Sequence, residues 1–331
     1  MAFANVNISD ILATTIENRS RKIDDNVTNN NALLKKLESK GRIRTFGGGH
    51  KILQELSFAE NSNAGWYSGY DLLPVGVSDV VSAAEYNIKQ AAVPVIISGL
   101  EQLQNAGREQ MIDLMEARLS VAESTMANLI TGGLYSDGTA AGGKEIDGLE
   151  AALPVDPTAA PYGGIDGSTF TFWQNAVSDQ TAVNGLDPTK IQGFWNSLWA
   201  SLVRGQDRVD LIMADTTVWE TYITSLQAQQ RFSNTNSADA GFVTVKFMDA
   251  DVCLDGGIYN GNLGSGAPAG TAFFLNTDYI HYRPHSARNM VPLSPNRRYA
   301  TNQDAEVQIL AWAGNLTCSG RMFQGRYDAV G

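Results

Sequence analysis

The stretch from Ser98 to Gly132 sets the length scale for anything this chain can fold into. Ile112, Met115, Leu119, Ala122, Met126 and Leu129 recur at steps of three and four, which draws one apolar stripe along one side of a helix. Arg108, Glu109, Asp113, Glu116 and Glu123 fall on the other faces, so the helix has a core side and a wet side. The spacing predicts a helix over 98–132, free to bend at Gly107 and stopped by Gly132 and Gly133, because glycine adopts the left-handed terminating conformation without a Cβ penalty. Strand-like sequence flanks it on both sides. Strands at 83–97 and about 305–313 are expected to cover its apolar side.

The approach to this helix is extended. In residues 42–76, Ile52, Leu56 and Phe58 alternate with Lys51, Glu55 and Ser57, and Trp66, Ser68, Tyr70 and Leu72 resume a period of two after Asn-Ser-Asn-Ala-Gly. Two such runs around a polar turn predict a hairpin. Its polar flanks predict that it projects from the body, so removal of residues 51–70 is expected to leave a folded remainder. Residues 83–97 alternate again and lead into the long helix.

Before the hairpin, NALLKKLESKG predicts a helix capped by Asn30 or Asn31, with Leu33, Leu34 and Leu37 on one face and Gly41 as its stop. So few apolar residues make no core of their own. Charge adds a direction: residues 1–51 hold nine Lys+Arg against five Asp+Glu, whereas the remainder holds 15 against 30. A basic arm and an acidic body suit contact between one copy's arm and another copy's body. The acidic body also argues against broad affinity for nucleic acid, which needs clustered cations.

After the long helix, a Pro/Gly-rich passage at 153–167 marks a boundary. Asp187-Pro188-Thr189 predicts a helix start, with Ile191, Phe194, Trp195, Leu198 and Leu202 on the apolar face and Gly205 at the end. Val209–Ala214 reads as a strand, Asp215 as the cap of a second helix bearing Val218, Trp219, Tyr222 and Leu226, and strands follow at 242–248, 252–254 and 270–275. Residues 281–298 read as a Pro-rich loop with Arg283, Arg288, Arg297 and Arg298 and no acid between Asp278 and Asp304. Strand-like sequence closes the chain. Runs of helix and strand in this order predict an α+β fold.

Signatures of catalysis are few. No G-x-S-x-G or Walker-type phosphate loop occurs, and Gly264-Ser265-Gly266 with Ala269 matches a dinucleotide fingerprint in letters only. His281 and His285 are four apart but separated by Pro284 in an extended segment, and Asp249, Asp251 and Asp255 lack the ligands that complete a calcium loop. Cys253 and Cys318 form neither a disulfide framework nor a zinc pattern. No cofactor, metal or catalytic residue is expected. Nothing at the start of the sequence directs secretion, and no apolar run is long enough to span a bilayer, so no membrane contact is expected. The four arginines are expected to meet carboxylates of a neighbouring subunit rather than phosphates.

The order of these parts resembles the major capsid proteins of tailed bacteriophages, with the Hong Kong 97-like fold. On that resemblance, residues 1–41 correspond to an N-terminal arm, 42–76 to the extended hairpin called the E-loop, 77–149 and 276–315 to a peripheral domain around the spine helix at 98–132, and 150–275 with 316–331 to an axial domain. What the resemblance implies is a structural, non-enzymatic subunit. Copies would close as hexamers and pentamers into an icosahedral head around double-stranded DNA, assembled in the cytoplasm of a bacterial host. Scaffolding protein, portal and a decoration protein would be partners, and the packaged DNA would be bound without sequence specificity. Lys51, Phe58, Trp66, Tyr70, Arg283, Arg288, Arg297 and Arg298 are the expected contacts between subunits. An encapsulin-like nanocompartment shell is the nearest alternative. A cytoplasmic acidic hydrolase is the alternative from another class; it would draw on Asp249 to Asp255 and the His281/His285 pair.

Overall fold

A computed structural model describes residues 31–72, 75–77, 80–100, 108–227, 244–254, 266–293, 298–299 and 305–329. The described chain opens with helix α1 (Ala32–Ser39), capped by Asn31, whose side chain accepts a hydrogen bond from the Leu34 amide at 3.0 Å. Eight residues are fewer than the roughly 12–15 at which an isolated helix persists. Burial of Leu33, Leu34 and Leu37, at about 1.5–3 kcal/mol each, holds it against the body.

Strand β1 (Lys51–Ser57) follows and pairs antiparallel with β2 (Val81–Asn87), in a register that sets Lys51 opposite Asn87 and Ser57 opposite Val81. This corrects the expected hairpin: its second strand is not 66–72, and the strand expected at 83–97 is split at Ile88 into β2 and β3 (Lys89–Ser98). The polar turn signal at 61–65 was real, since Asn61 and Asn63 make local turn bonds, but it lies inside a much longer loop. The root is not a projection either. Ile52, Leu56, Ala84 and Tyr86 are buried in the main core, so removing residues 51–70 would cut into it.

The long helix, α2, runs Arg108–Tyr135. Gly132 and Gly133 lie within it and do not end it. Gly133 packs under Ile146, and Gly148 crosses the helix end so closely that a Cβ would sit 2.4 Å from the Gly133 carbonyl oxygen. Both glycines make room for the returning chain. Leu119, Ala122 and Met126 are buried as expected, Leu129 is half-exposed, and the stripe continues through Ile130 and Leu134. The start of the expected helix at 101–107 and the side chains of Ile112 and Met115 lie outside the described residues.

The passage at 153–167 is packed rather than loose. Leu153 and Tyr162 are buried, and Tyr162 stacks on Trp173 at 6.3 Å. Strand β4 (Ala176–Asp179), helix α3 (Ile191–Leu202), strand β5 (Leu211–Ala214), helix α4 (Thr216–Gln227) and strands β6 (Thr244–Phe247), β7 (Ala250–Leu254) and β8 (Thr271–Leu275) follow. Helix α3 starts later than Pro188 because Asp187 spends its carboxylate on the Thr189 amide and hydroxyl in a turn. Asp215 serves α4 as expected, accepting from the Thr217 amide.

The Arg-rich segment, expected as a loop, also contributes strands: β9 (Ile280–Pro284), β10 (Val291–Pro292) and β11 (Arg298–Tyr299) all pair with β12 (Ala305–Cys318), with a turn at 286–287 between β9 and β10. The 14 residues of β12 carry β3 antiparallel along one edge and β11, β10 and β9 in succession along the other. It runs unbroken across 315–316. The last strand, β13 (Gly325–Asp328), joins a second sheet in the order β4-β13-β8-β5-β7-β6.

That second sheet is covered on both faces, which is why its inner strands read as unbroken apolar runs. Leu211, Met213, Phe273 and Leu275 face the core shared with α2 and the first sheet. Ile212, Ala214, Ala272 and Phe274 face α3 and α4, where Trp195 stacks on Tyr222 at 4.6 Å. The result is α+β, with the β1/β2 pair, the five- and six-stranded sheets and the long helix meeting in one core.

Candidate interaction surface

Among the described residues, three surfaces bear on contact between copies. One is the loop beyond the hairpin root. The ladder ends where the Phe58 amide donates to the Val80 carbonyl at 3.1 Å, and beyond it Trp66, Tyr67, Tyr70, Leu72, Val75 and Val77 are exposed. Six large apolar side chains in a dozen residues, held by a few polar turn bonds, form a patch of the kind that another protein surface covers. Phe58 differs from its expected companions: it stacks on Phe172 at 5.2 Å and packs against its own core. Lys51 pairs across the root with Glu85 at 2.5 Å. Trp66 and Tyr70 stand free in solvent.

A groove of about 400 Å³ lies between β3 and α2, lined by Val93, Pro94, Ile96 and Val121. Arg118 closes one side by donating to the Ile96 carbonyl. Ile96 and Val121 are exposed there, so the groove is apolar and open.

The third surface is cationic. Residues 42–46 lie beside β9 as an added parallel strand, with bridges Ile43 to Tyr282 and Phe46 to His285. The expected contact of the basic arm with another copy's acidic body has an intramolecular counterpart: Lys36 pairs with Asp251 at 3.0 Å, Lys40 with Asp210 and Asp278 at 3.1 and 3.2 Å, and Arg42 with Asp278 at 2.9 Å. The carboxyl of Asp278 is held below its usual range: burial works to raise it, and the hydrogen bonds from Arg42 and Lys40 with their charges outweigh that. Arg283 donates to the Gln54 side-chain oxygen and Arg288 to that of Gln90, both at 3.3 Å. Arg297 and the side chain of Arg298 lie outside the described residues.

Two arginines that the sequence did not single out hold the chain's end in place. Arg321 is fully buried, donating to the carbonyls of Ala152 at 2.6 Å and Trp173 at 3.2 Å. Arg326 grips Asp328 through two nitrogens at 2.7 and 3.1 Å. Nearby, the Tyr86 hydroxyl donates to the Cys318 carbonyl at 2.9 Å and accepts from the Cys318 amide at 3.2 Å. Burial pushes the Tyr86 phenol well above its ordinary value and the Cys318 thiol up to about 11, so both stay neutral as structural groups.

The described members of the candidate catalytic groups are engaged elsewhere. Asp249 pairs with Arg208 at 2.6 Å and Asp251 with Lys36, each neutralised by a different cation. Asp255 lies outside the described residues, as do Gly264 and Ser265. His281 is buried, whereas His285 is turned against Phe46 with ring centroids 4.9 Å apart. Among the described residues no three His, Cys, Asp or Glu side chains are grouped to hold a metal, and no helix is long and apolar enough to cross a membrane.

No family model matches this chain, and no curated protein matches it. Solved structures do. The chain is similar over 88% of its length to 90% of a cyanophage A-1(L) capsid chain, with 14% identity and a TM-score of 0.63. It matches 89% of a chain from the capsid of a native GTA particle at 10% identity and a TM-score of 0.57, again over 88% of its own length. A chain from Mycobacterium phage Bobi matches with 11% identity, a TM-score of 0.51 and coverage of 88% and 90%. At these identities the likeness is one of fold. The chain has the Hong Kong 97-like capsid fold.

Proposed function

We propose that this chain is the major capsid subunit of a tailed-phage head, a structural protein whose copies close into an icosahedral shell. The observation that carries the reading is the set of exposed apolar side chains from Trp66 to Val77, Leu72 and Val75 among them, on a molecule that also leaves an apolar groove open beside α2. A patch on one copy and a different, complementary groove on the next make a head-to-tail contact, which closes into rings when the rotation allows. Hexamers and pentamers of such contacts would form the shell. The role needs no chemistry from the side chains.

The division into arm, E-loop, peripheral domain and axial domain is supported by the long helix and first sheet on one side and the six-stranded sheet with α3 and α4 on the other. Double-stranded DNA would fill the shell, held without sequence-specific contacts. Scaffolding protein, portal and a decoration protein would complete a head assembled in the cytoplasm of a bacterial host. An encapsulin-like shell is separated from this reading by its content, protein cargo in place of DNA.

Purified protein should sediment as rings or shells far above its 35.7 kDa mass, with closed particles in electron micrographs. A stable monomer at all concentrations would refute the proposal. Replacing residues 60–78 by a short Gly/Ser turn, which spares the β1/β2 root, should leave a folded monomer that no longer assembles.

A further inference from the structure

We infer that the face formed by residues 42–44 and β9 is a docking surface for carboxylates of a second copy of this chain. The inference rests on the shell reading and adds to it a specific polar contact, separate from the apolar hairpin loop.

The backbone fixes the arrangement. The Tyr282 amide donates to the Arg42 carbonyl at 3.2 Å, and the Arg44 amide donates to the Tyr282 carbonyl at 3.0 Å. Ile43 and Tyr282, paired in this bridge, point to the core side. Alternation along each strand then sets Arg42 and Arg44 on the same side of the sheet as His281 and Arg283. Four basic side chains share one patch.

Their local partners do not match their number. Asp278 serves Arg42 and Lys40. Among the described residues Arg44 is exposed and in no ion pair, and Arg283 reaches only the neutral amide oxygen of Gln54. Among the described residues the buried Nε atoms of Arg42 and Arg283 have no acceptor, and His281, only 4% exposed, leaves its Nδ1 without a partner. Those buried atoms are out of reach of a second chain; the donors open to an incoming anion are the exposed guanidinium of Arg44 and the partly exposed ends of Arg42 and Arg283. Burial and the nearby guanidinium charges hold His281 down to about 4, so the imidazole is neutral at neutral pH and the positive charge resides on the arginines.

The occupant follows from charge. Residues 52–331 hold twice as many acidic as basic side chains, so the body that a neighbouring copy presents is rich in carboxylates. Guanidinium groups bind a carboxylate with paired, parallel hydrogen bonds, and such contacts fix register and partner more than they add raw affinity.

The test substitutes Arg44, which is exposed and uninvolved in the core. Arg44→Glu should keep the wild-type far-UV spectrum and melting temperature and lower the assembled fraction at least tenfold by sedimentation, with Arg44→Lys recovering part of it. Wild-type assembly should weaken between about 50 and 500 mM salt, and R44E should lose most of that dependence. Should R44E shift the melting temperature, Arg44→Gln carries the same test with a smaller change in charge. Normal assembly of R44E and R44Q would overturn the inference while leaving the shell reading intact. So would shells that form normally but release their DNA, which would assign the face to phosphates. A wild-type chain that stays monomeric at every salt concentration would overturn both.

Discussion

The two ends of the hairpin are built from similar residues and meet opposite fates. At the root, Ile52, Leu56 and Tyr86 are buried in the chain's own core; at the far end, Trp66, Tyr70, Leu72 and Val77 are as apolar and lie in water. Period-two alternation is present in both. What differs is the surface within reach: β1 and β2 lie over the first sheet and the 153–167 passage, where Tyr86 meets Tyr162 at 5.2 Å, whereas Trp66, Tyr70, Leu72 and Val77 are covered by none of the described residues. Alternation says which face of a strand is apolar, and only the neighbours say whether that face is covered. An uncovered one is what the proposed contact between copies would use.

This contrast can be broken by substitution. The largest effect is expected at the root: Leu56→Ala should lower unfolding free energy by about 2–5 kcal/mol in denaturant melts of the monomer, because it opens a cavity in a closed core. Gly148→Ala should be comparably severe, since the new methyl meets backbone oxygens that cannot move aside. Tyr86→Phe should cost about 1–3 kcal/mol by leaving the Cys318 amide and carbonyl without their buried partner.

Acid gives a graded test beside the root, where Gln54 touches Arg283 and Thr317. The His281 pKa falls from 6.5 in the unfolded chain to about 4 in the fold, so the unfolded chain takes up the proton first. Stability is therefore full above about pH 6.5 and falls as pH drops toward 4, by on the order of 1–3 kcal/mol, with Arg42, Arg44 and Arg283 opposing the new charge and Asp278 favouring it. His281→Gln should flatten that segment of the pH profile. If stability is unchanged from pH 7 to 4 in the wild type, the histidine is not held as described.

The smallest effects on stability are expected on the exposed side. Lys51→Ala removes a half-exposed ion pair with Glu85 and should cost less than about 1 kcal/mol. Trp66→Ala with Tyr70→Ala should change monomer stability by less than about 0.5 kcal/mol and yet abolish assembly. A clear loss of monomer stability in that double variant would show that the loop packs on its own subunit and would erase the distinction between the two ends.

The local grammar of this chain was legible. Asn31 as a cap, the leucines of α1, the stripe of α2 from Leu119 to Met126, and the apolar faces of α3 and α4 follow from spacing and capping chemistry that act within a few residues. The expected covering of α2 by strands near 83–97 and 305–313 follows in part: β3 packs on the helix, and Leu310 and Trp312 of β12 share one core with Leu119, Met126 and Ile130, while residues 83–87 belong to β2 and pair with β1. Of the expected contact residues, Trp66 and Tyr70 are free for a partner, whereas Phe58 and Lys51 are occupied within the chain.

Other features depended on segments far apart in sequence. The run at 66–72 alternates as well as a strand should, yet β1 chose 81–87, because there Ala84 and Tyr86 can be buried together with Ile52 and Leu56. Gly132 and Gly133 look like a helix stop, and only the passage of Gly148 over the helix end explains why they lie within it. Arg321 and Arg326 carry no local sign of burial; carbonyls from Ala152, Leu153 and Trp173, more than a hundred residues earlier, supply their acceptors. Sequence by itself determined the elements, their amphipathic faces and the imbalance of charge, since those are set by neighbours along the chain. Which apolar face is closed, which arginine is buried and which is left facing outward were decided by tertiary structure, because burial and pairing depend on what arrives from elsewhere in the fold.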